Sequence, residues 1–186
     1  MKAIVIERTV KNLGWYFVAD SAVSNTGKPF YLPDTSGETA VSLSLAVRIN
    51  RLGKAVSSKF AHRYYSEVAP ALHFVLPELR KRLREEYLPQ DPSRSFDRSL
   101  MVGEARPFSP GEGVVLKLNG EPVTNVRITD PGEVVDKRLE TVSQLNTIKM
   151  GDLFLPVMSR EIPLKEGDFL EVEWQSGEKA FQVKIK

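Results

Sequence analysis

Few side chains in this sequence can carry covalent or metal chemistry. Cysteine is absent, which removes disulfides, thiolate nucleophiles and cysteine zinc sites together. Histidine occurs twice, as His62 and His73. His62 stands inside Lys59-Phe60-Ala61-His62-Arg63-Tyr64-Tyr65, where packing a helix and donating one hydrogen bond is its simplest role. Tyr64 and Tyr65 read as core or interface filling, not as a platform on which bases stack. The densest basic run, Arg80-Lys81-Arg82 with Arg84, is followed at once by Glu85 and Glu86. That mixture reads as a solvated helix face and not as a nucleic-acid footprint.

These residues are placed by elements that the hydrophobic pattern marks out. The clearest strand runs from Val41 to Ile49. Val41, Leu43, Leu45, Val47 and Ile49 fall on one face, and Ser42, Ser44, Ala46 and Arg48 on the other. The first face suits a core, and the second is lined with small and polar groups. Ala3 to Ile6 reads as a buried first strand, Trp15 to Ala19 as a second apolar stretch, and Phe30-Tyr31-Leu32 as a short strand stopped by Pro33. Lys59 to Leu72 is expected to be helical in part, with Pro70 as a boundary.

A further helix opens at Pro77 and carries Leu79, Leu83 and Tyr87 at a spacing of four. Val114 to Leu118 and Val123 to Ile128 form a hairpin around Asn119-Gly120, which supplies the positive backbone angles of a type I′ turn. Asp130-Pro131-Gly132-Glu133 starts a third helix, with Asp130 as cap and Glu133 closing a capping box. Its buried stripe is Val135, Leu139, Val142 and Leu145. Two alternating strands follow, with Leu170, Val172 and Trp174 on one and Phe181, Val183 and Ile185 on the other.

At 186 residues the chain fits a single domain, 1–186, which buries roughly 70% of its unfolded surface. Its 26 basic and 24 acidic residues nearly cancel, to a net charge of +2, so no acidic polymer is implied as a partner. Met1-Lys2 leads straight into Ala3-Ile4-Val5-Ile6, which Glu7 and Arg8 end too soon for a signal-peptide core. No apolar run approaches the ~20 residues that span a bilayer. The expectation is a cytoplasmic protein without nucleic-acid or membrane partners.

The wording of the chain resembles the fumarylacetoacetate hydrolase family. The resemblance is carried by Gly27-Lys28-Pro29-Phe30-Tyr31-Leu32-Pro33-Asp34 and by Val47-Arg48-Ile49-Asn50-Arg51-Leu52-Gly53-Lys54. It continues in the block from Lys59 to Tyr65 and in Ser95-Phe96-Asp97. The Asn119-Gly120 hairpin, the helix after Asp130, Gly151-Asp152 and Gly167-Asp168 agree in order. The resemblance implies a strand-rich α+β fold, a mixed β-roll with two or three peripheral helices, assembled as a homodimer. It also implies hydrolysis, decarboxylation or isomerisation of 2-oxo and 2,4-dioxo acids. In that chemistry a divalent cation such as Mg²⁺ or Mn²⁺ chelates the oxo acid and stabilises enolate charge.

The same resemblance locates the site and shows it altered. The family's metal-binding Glu-x-Glu pair falls on Ser42 and Ser44, and its third ligand, an aspartate, falls on His73. The catalytic lysine falls on Arg94, and arginine gives up no proton at a usable pH. The histidine of the loop after the first strand has no counterpart in Arg8 to Gly14, so that loop offers no general base. The turn that closes the substrate pocket is replaced by Pro156-Val157-Met158-Ser159, and the hairpin glutamine by Thr124 or Asn125. Asp97 and Glu104 remain as the nearby acids.

The reading is a family homologue that keeps the fold and loses the chemistry, with no cofactor expected. It serves as a binding or partner protein for a small carboxylate, with Arg48, Arg94, Thr124 and Asn125 as candidate ligand-binding residues. The alternative is a divergent enzyme on an oxo acid, using Mg²⁺ or Mn²⁺ held by other residues.

Overall fold

Alternation at Val41, Leu43, Leu45, Val47 and Ile49 sets the longest central strand, and all five side chains are fully buried. The computed structural model describes residues 1–8, 13–34 and 37–186. Its strands are β1 (Lys2–Arg8), β2 (Leu13–Ala19), β3 (Val23–Asn25), β4 (Thr39–Ile49), β5 (Tyr65–Val75), β6 (Leu100–Val102) and β7 (Arg106–Pro107). They continue as β8 (Gly113–Leu118), β9 (Glu121–Arg127), β10 (Leu153–Leu155), β11 (Ile162–Leu164), β12 (Phe169–Trp174) and β13 (Lys179–Lys184). The helices are α1 (Ser58–Ala61), α2 (Pro77–Glu85) and α3 (Lys137–Leu145). None is long and apolar enough to cross a membrane.

The large sheet runs β2-β1-β10-β4-β5-β6-β3, with β11 adding to β4 and β7 to β5. The small sheet runs β13-β12-β8-β9. Pairs β1–β10 and β3–β6 are parallel and the others antiparallel, which gives the mixed, strand-rich α+β roll that the sequence implied. The main core joins the two sheets: Leu43, Leu45 and Phe74 from the large one meet Leu116, Val172 and Val183 from the small one.

The opposite face of the large sheet is buried as well. Ala46, Ala69, Ala71 and Ala3 form a second core with Val5, Tyr16, Leu153 and Leu155. Ser42 and Ser44 lie on this face with 4% and 0% exposure. The face that the sequence assigned small and polar groups, apart from the core, is thus packed into a core of its own.

Three local expectations are corrected. Lys59 to Leu72 is helical in part, through the end of α1 and a short 3₁₀ turn, but the boundary falls at Tyr65 and not at Pro70, and from Tyr65 onward it is strand. β5 is buried on both faces over Val68 to Val75, so it lacks the alternation that marks a half-buried strand. The stripe of α2 stops short: the helix ends at Glu85, and Tyr87 takes a φ of 57° with 96% exposure. Tyr87 occupies the left-handed position after the helix, with Leu88 N–H bonding back to the Leu83 carbonyl at 2.8 Å. The stripe of α3 likewise loses Leu145, which is 73% exposed, because the helix ends there.

Asp130 does cap, accepting from Glu133 N–H at 3.1 Å. The box is not closed, however, because the Glu133 carboxylate pairs with Lys137, and Gly132–Asp136 is a π-helical turn leading into α3. The hairpin turn is as expected, with φ of 53° at Asn119 and 89° at Gly120.

Candidate functional site

Pairing between β4 and β5 puts Ser42 directly opposite His73, so both side chains rise from the same face of the large sheet. Val5 and Tyr16 pair across β1 and β2 beside them. At this place the second core gives way to a cavity of about 830 Å³. Val5, Val75, Pro156, Val157 and Met158 form its apolar wall, and Ser42, His73 and Tyr16 lie among its lining. Its charged lining consists of Arg80 and Arg84 from α2, Arg138 from α3, Arg160 and Glu161 from the segment before β11, and Glu7 from β1.

The hydrogen bonds around His73 define its state. Its Nε2 lies 2.8 Å from the Arg94 carbonyl, which can only accept, so Nε2 carries the proton. Nδ1 therefore accepts from the Tyr16 hydroxyl at 3.1 Å. Burial is the largest cause that pushes the imidazole pKa down to about 4, so the ring is neutral near pH 7. Burial also pushes the Tyr16 phenol above its ordinary range, which keeps its proton on the bond to His73.

Arg94 braces this pair from outside. Its guanidinium lies 3.7 Å over the Tyr16 ring and donates to Glu7 at 3.0 Å. Arg80 holds Glu161 through two parallel bonds of 2.6 and 2.8 Å, a bidentate fork between α2 and the β11 approach. Arg138 donates to the Pro156 carbonyl.

The structure brings some of the sequence-derived residues together and leaves others apart. Ser42 and His73 line the cavity, and Arg94 supports it through Tyr16 and Glu7. Ser44 is spent internally, donating to the Val157 carbonyl at 2.7 Å. Val157 belongs to Pro156-Val157-Met158-Ser159, the segment read as replacing the family's pocket-closing turn, and all four residues line the cavity.

Arg48 is exposed and 3.5 Å from Glu67. Thr124 and Asn125 sit on β9 in the small sheet. None of these three lines the cavity, nor do Asp97 and Glu104, both exposed. His62 is also exposed. Of the loop expected to lack a general base, residues 9–12 lie outside the described residues.

The residues missed are Arg80, Arg84, Arg138, Arg160, Glu161, Glu7 and Tyr16. Arg80 and Arg84 belonged to the basic run read as a solvated face. Their i,i+4 spacing puts them on one side of α2, where both line the cavity, Arg80 partly buried and Arg84 exposed, while Lys81 and Arg82 do not line it.

The donor set does not fit Mg²⁺ or Mn²⁺. Such hard cations need several oxygen ligands, mostly carboxylates. Among the described residues no three His, Cys, Asp or Glu are grouped to hold a metal. Ser44 and both nitrogens of His73 are already engaged, and the nearby arginines repel a cation.

No family model and no curated protein matches the chain. Solved structures match its fold closely. A fumarylpyruvate hydrolase from Pseudomonas aeruginosa, in complex with Mn²⁺ and pyruvate, superposes with a TM-score of 0.88 at 15% identity, over 100% of this chain and 89% of that one. A candidate member of the fumarylacetoacetate hydrolase family from Yersinia pestis gives 0.89 at 20% identity, over 100% and 92%. A 5-carboxymethyl-2-hydroxymuconate delta-isomerase from Mycobacterium smegmatis gives 0.84 at 15%, over 99% and 78%.

Proposed function

Because the chain carries the fold of the fumarylacetoacetate hydrolase family, we propose that it binds a small organic carboxylate in the family's cavity through arginine in place of a metal ion. The observation that supports this reading most is the cavity's charged lining. Arg80, Arg84, Arg138 and Arg160 face it against Glu7 and Glu161, an excess of cations beside an apolar wall. A guanidinium offers a carboxylate two parallel charge-assisted bonds, which replaces the chelation that a divalent ion supplies. Neutral Ser42, Tyr16 and His73 at the sheet surface add polarity without charge, so an anion is drawn toward the arginines. On this reading the protein is a non-catalytic, cytoplasmic homodimer, and a carboxylate enters without any cofactor.

Calorimetric titration of EDTA-treated protein tests it in two arms. Mn²⁺ alone is expected to give no saturable heat up to millimolar concentrations. Succinate is expected to bind with a stoichiometry of one per chain, unchanged by EDTA. Saturable Mn²⁺ binding in the micromolar range would overturn the reading.

A second reading is an oxo-acid hydrolase, isomerase or decarboxylase, and two observations favour it. The cavity is open, and the solved structures of like fold include a hydrolase and an isomerase. Turnover of an acylpyruvate or of oxaloacetate that rises with added Mg²⁺ would establish it in place of the first.

A further inference from the structure

The Arg80 fork is already filled. Glu161 lies in it with both carboxylate oxygens bonded, at 2.6 and 2.8 Å, in the arrangement a bound carboxylate would adopt. Both side chains line the cavity, and the Glu161 side chain is 34% exposed, free to swing to water when displaced. An incoming carboxylate that takes Arg80 exchanges one carboxylate for another and gains little. Arg84 stands one helical turn along α2, and Arg160 precedes Glu161 in the chain. Neither has an ion-pair partner among the described residues. A second anionic group on the same ligand therefore meets guanidinium charge that no side chain neutralises.

We infer that Glu161 is a specificity-determining residue, an internal carboxylate that holds Arg80 against monoanions and yields it to dianions. The inference rests on the carboxylate-binding reading above and adds the class of ligand, one with two negative groups on a short apolar body. A monocarboxylate that takes Arg80 displaces Glu161 with no second contact to offset the cost. A dicarboxylate recovers that cost through Arg84 and Arg160.

The test is calorimetric binding of succinate and propionate to the full chain and to Glu161→Gln. Glu166→Gln is the control, since it removes an equal charge from the exposed turn before β12. Melting curves on each variant confirm that it is folded. Wild type is expected to prefer succinate over propionate, and Glu161→Gln to tighten propionate by about tenfold and narrow that preference. Glu166→Gln is expected to leave both affinities near wild type.

Equal tightening in both variants would show a general charge effect and overturn the inference. Succinate binding to wild type with propionate unaffected by Glu161→Gln would also overturn it, while leaving the carboxylate reading intact. Binding of neither ligand to either protein would remove the reading itself and the inference with it.

Discussion

His73 is buried in β5 with both ring nitrogens engaged, and the pair it forms with Tyr16 depends on the ring staying neutral. Protonating Nδ1 would set an N–H against the Tyr16 hydroxyl proton and place a cation beside Arg94 and Arg80, with Glu161 as the compensating charge. The folded pKa of about 4 lies below the ordinary 6.5. Between these values the unfolded chain binds the proton that the folded chain refuses, so stability falls as pH drops from 6.5 toward 4. The full shift corresponds to ~3 kcal/mol. Urea unfolding of wild type and His73→Gln at pH 7, 5.5 and 4 should show a steeper loss in wild type over this window. Parallel losses would remove the assignment.

Little of this environment was legible in the sequence. Strand alternation put Ser42 and Ser44 on one face, and resemblance singled out His73 and Arg94. The arginines could not be found that way. Arg80, Arg138 and Arg160 come from three separate segments, and each alone reads as an ordinary surface cation. Arg48 was drawn in by its charge, and Thr124 and Asn125 by the resemblance at the hairpin, neither of which carries distance.

Elements were legible where large apolar residues alternate with small or polar ones, whether or not the second face is buried. β4, β12, β13 and the hairpin of β8 and β9 alternate or turn on Asn-Gly, and each was recognised. β5 was not, because burial on both faces erases its period and Pro70 argues against a central strand. The structure resolves that objection. Pro70 falls between the stretches of β5 paired with β7, at Glu67 and Val68, and with β6, at Ala71 to His73. Its carbonyl accepts from Gly103 N–H at 2.9 Å. The missing Pro70 N–H points to that same edge, where neither strand pairs with it.

The close approach also constrains Gly103. A Cβ there would lie 2.8 Å from the Phe181 ring and 3.0 Å from Pro70 Cγ. Gly103→Ala is therefore expected to cost about 2 kcal/mol through overpacking. Gly120→Ala meets no atom within 4 Å and strains only the φ of 89°, at about 1 kcal/mol. Denaturant midpoints with unchanged m-values would check both, and a reversed order would sink the packing argument.

At the scale of the whole molecule, a TM-score of 0.88 at 15% identity means that the roll is kept by a pattern of burial and not by particular residues. The two cores meet that pattern with their own side chains. Stability and ligand occupancy then link in one direction only. A ligand that binds the folded chain raises its stability by RT ln(1 + [L]/Kd), about 2.7 kcal/mol at a hundredfold excess over Kd.

Succinate should therefore raise the melting temperature progressively with concentration, and 1 M NaCl should shrink the shift by screening the arginines. EDTA and millimolar Mn²⁺ should leave the melting temperature where it is. A rise with Mn²⁺ that EDTA reverses would mean that the chain holds an ion and would count against the metal-free reading. Melting at protein concentrations spanning two decades separates the remaining variable, because an obligate homodimer melts higher as it is concentrated and a monomer does not. The proposed dimer predicts that upward drift, and a concentration-independent melt with a monomer mass by light scattering would replace it with a monomer.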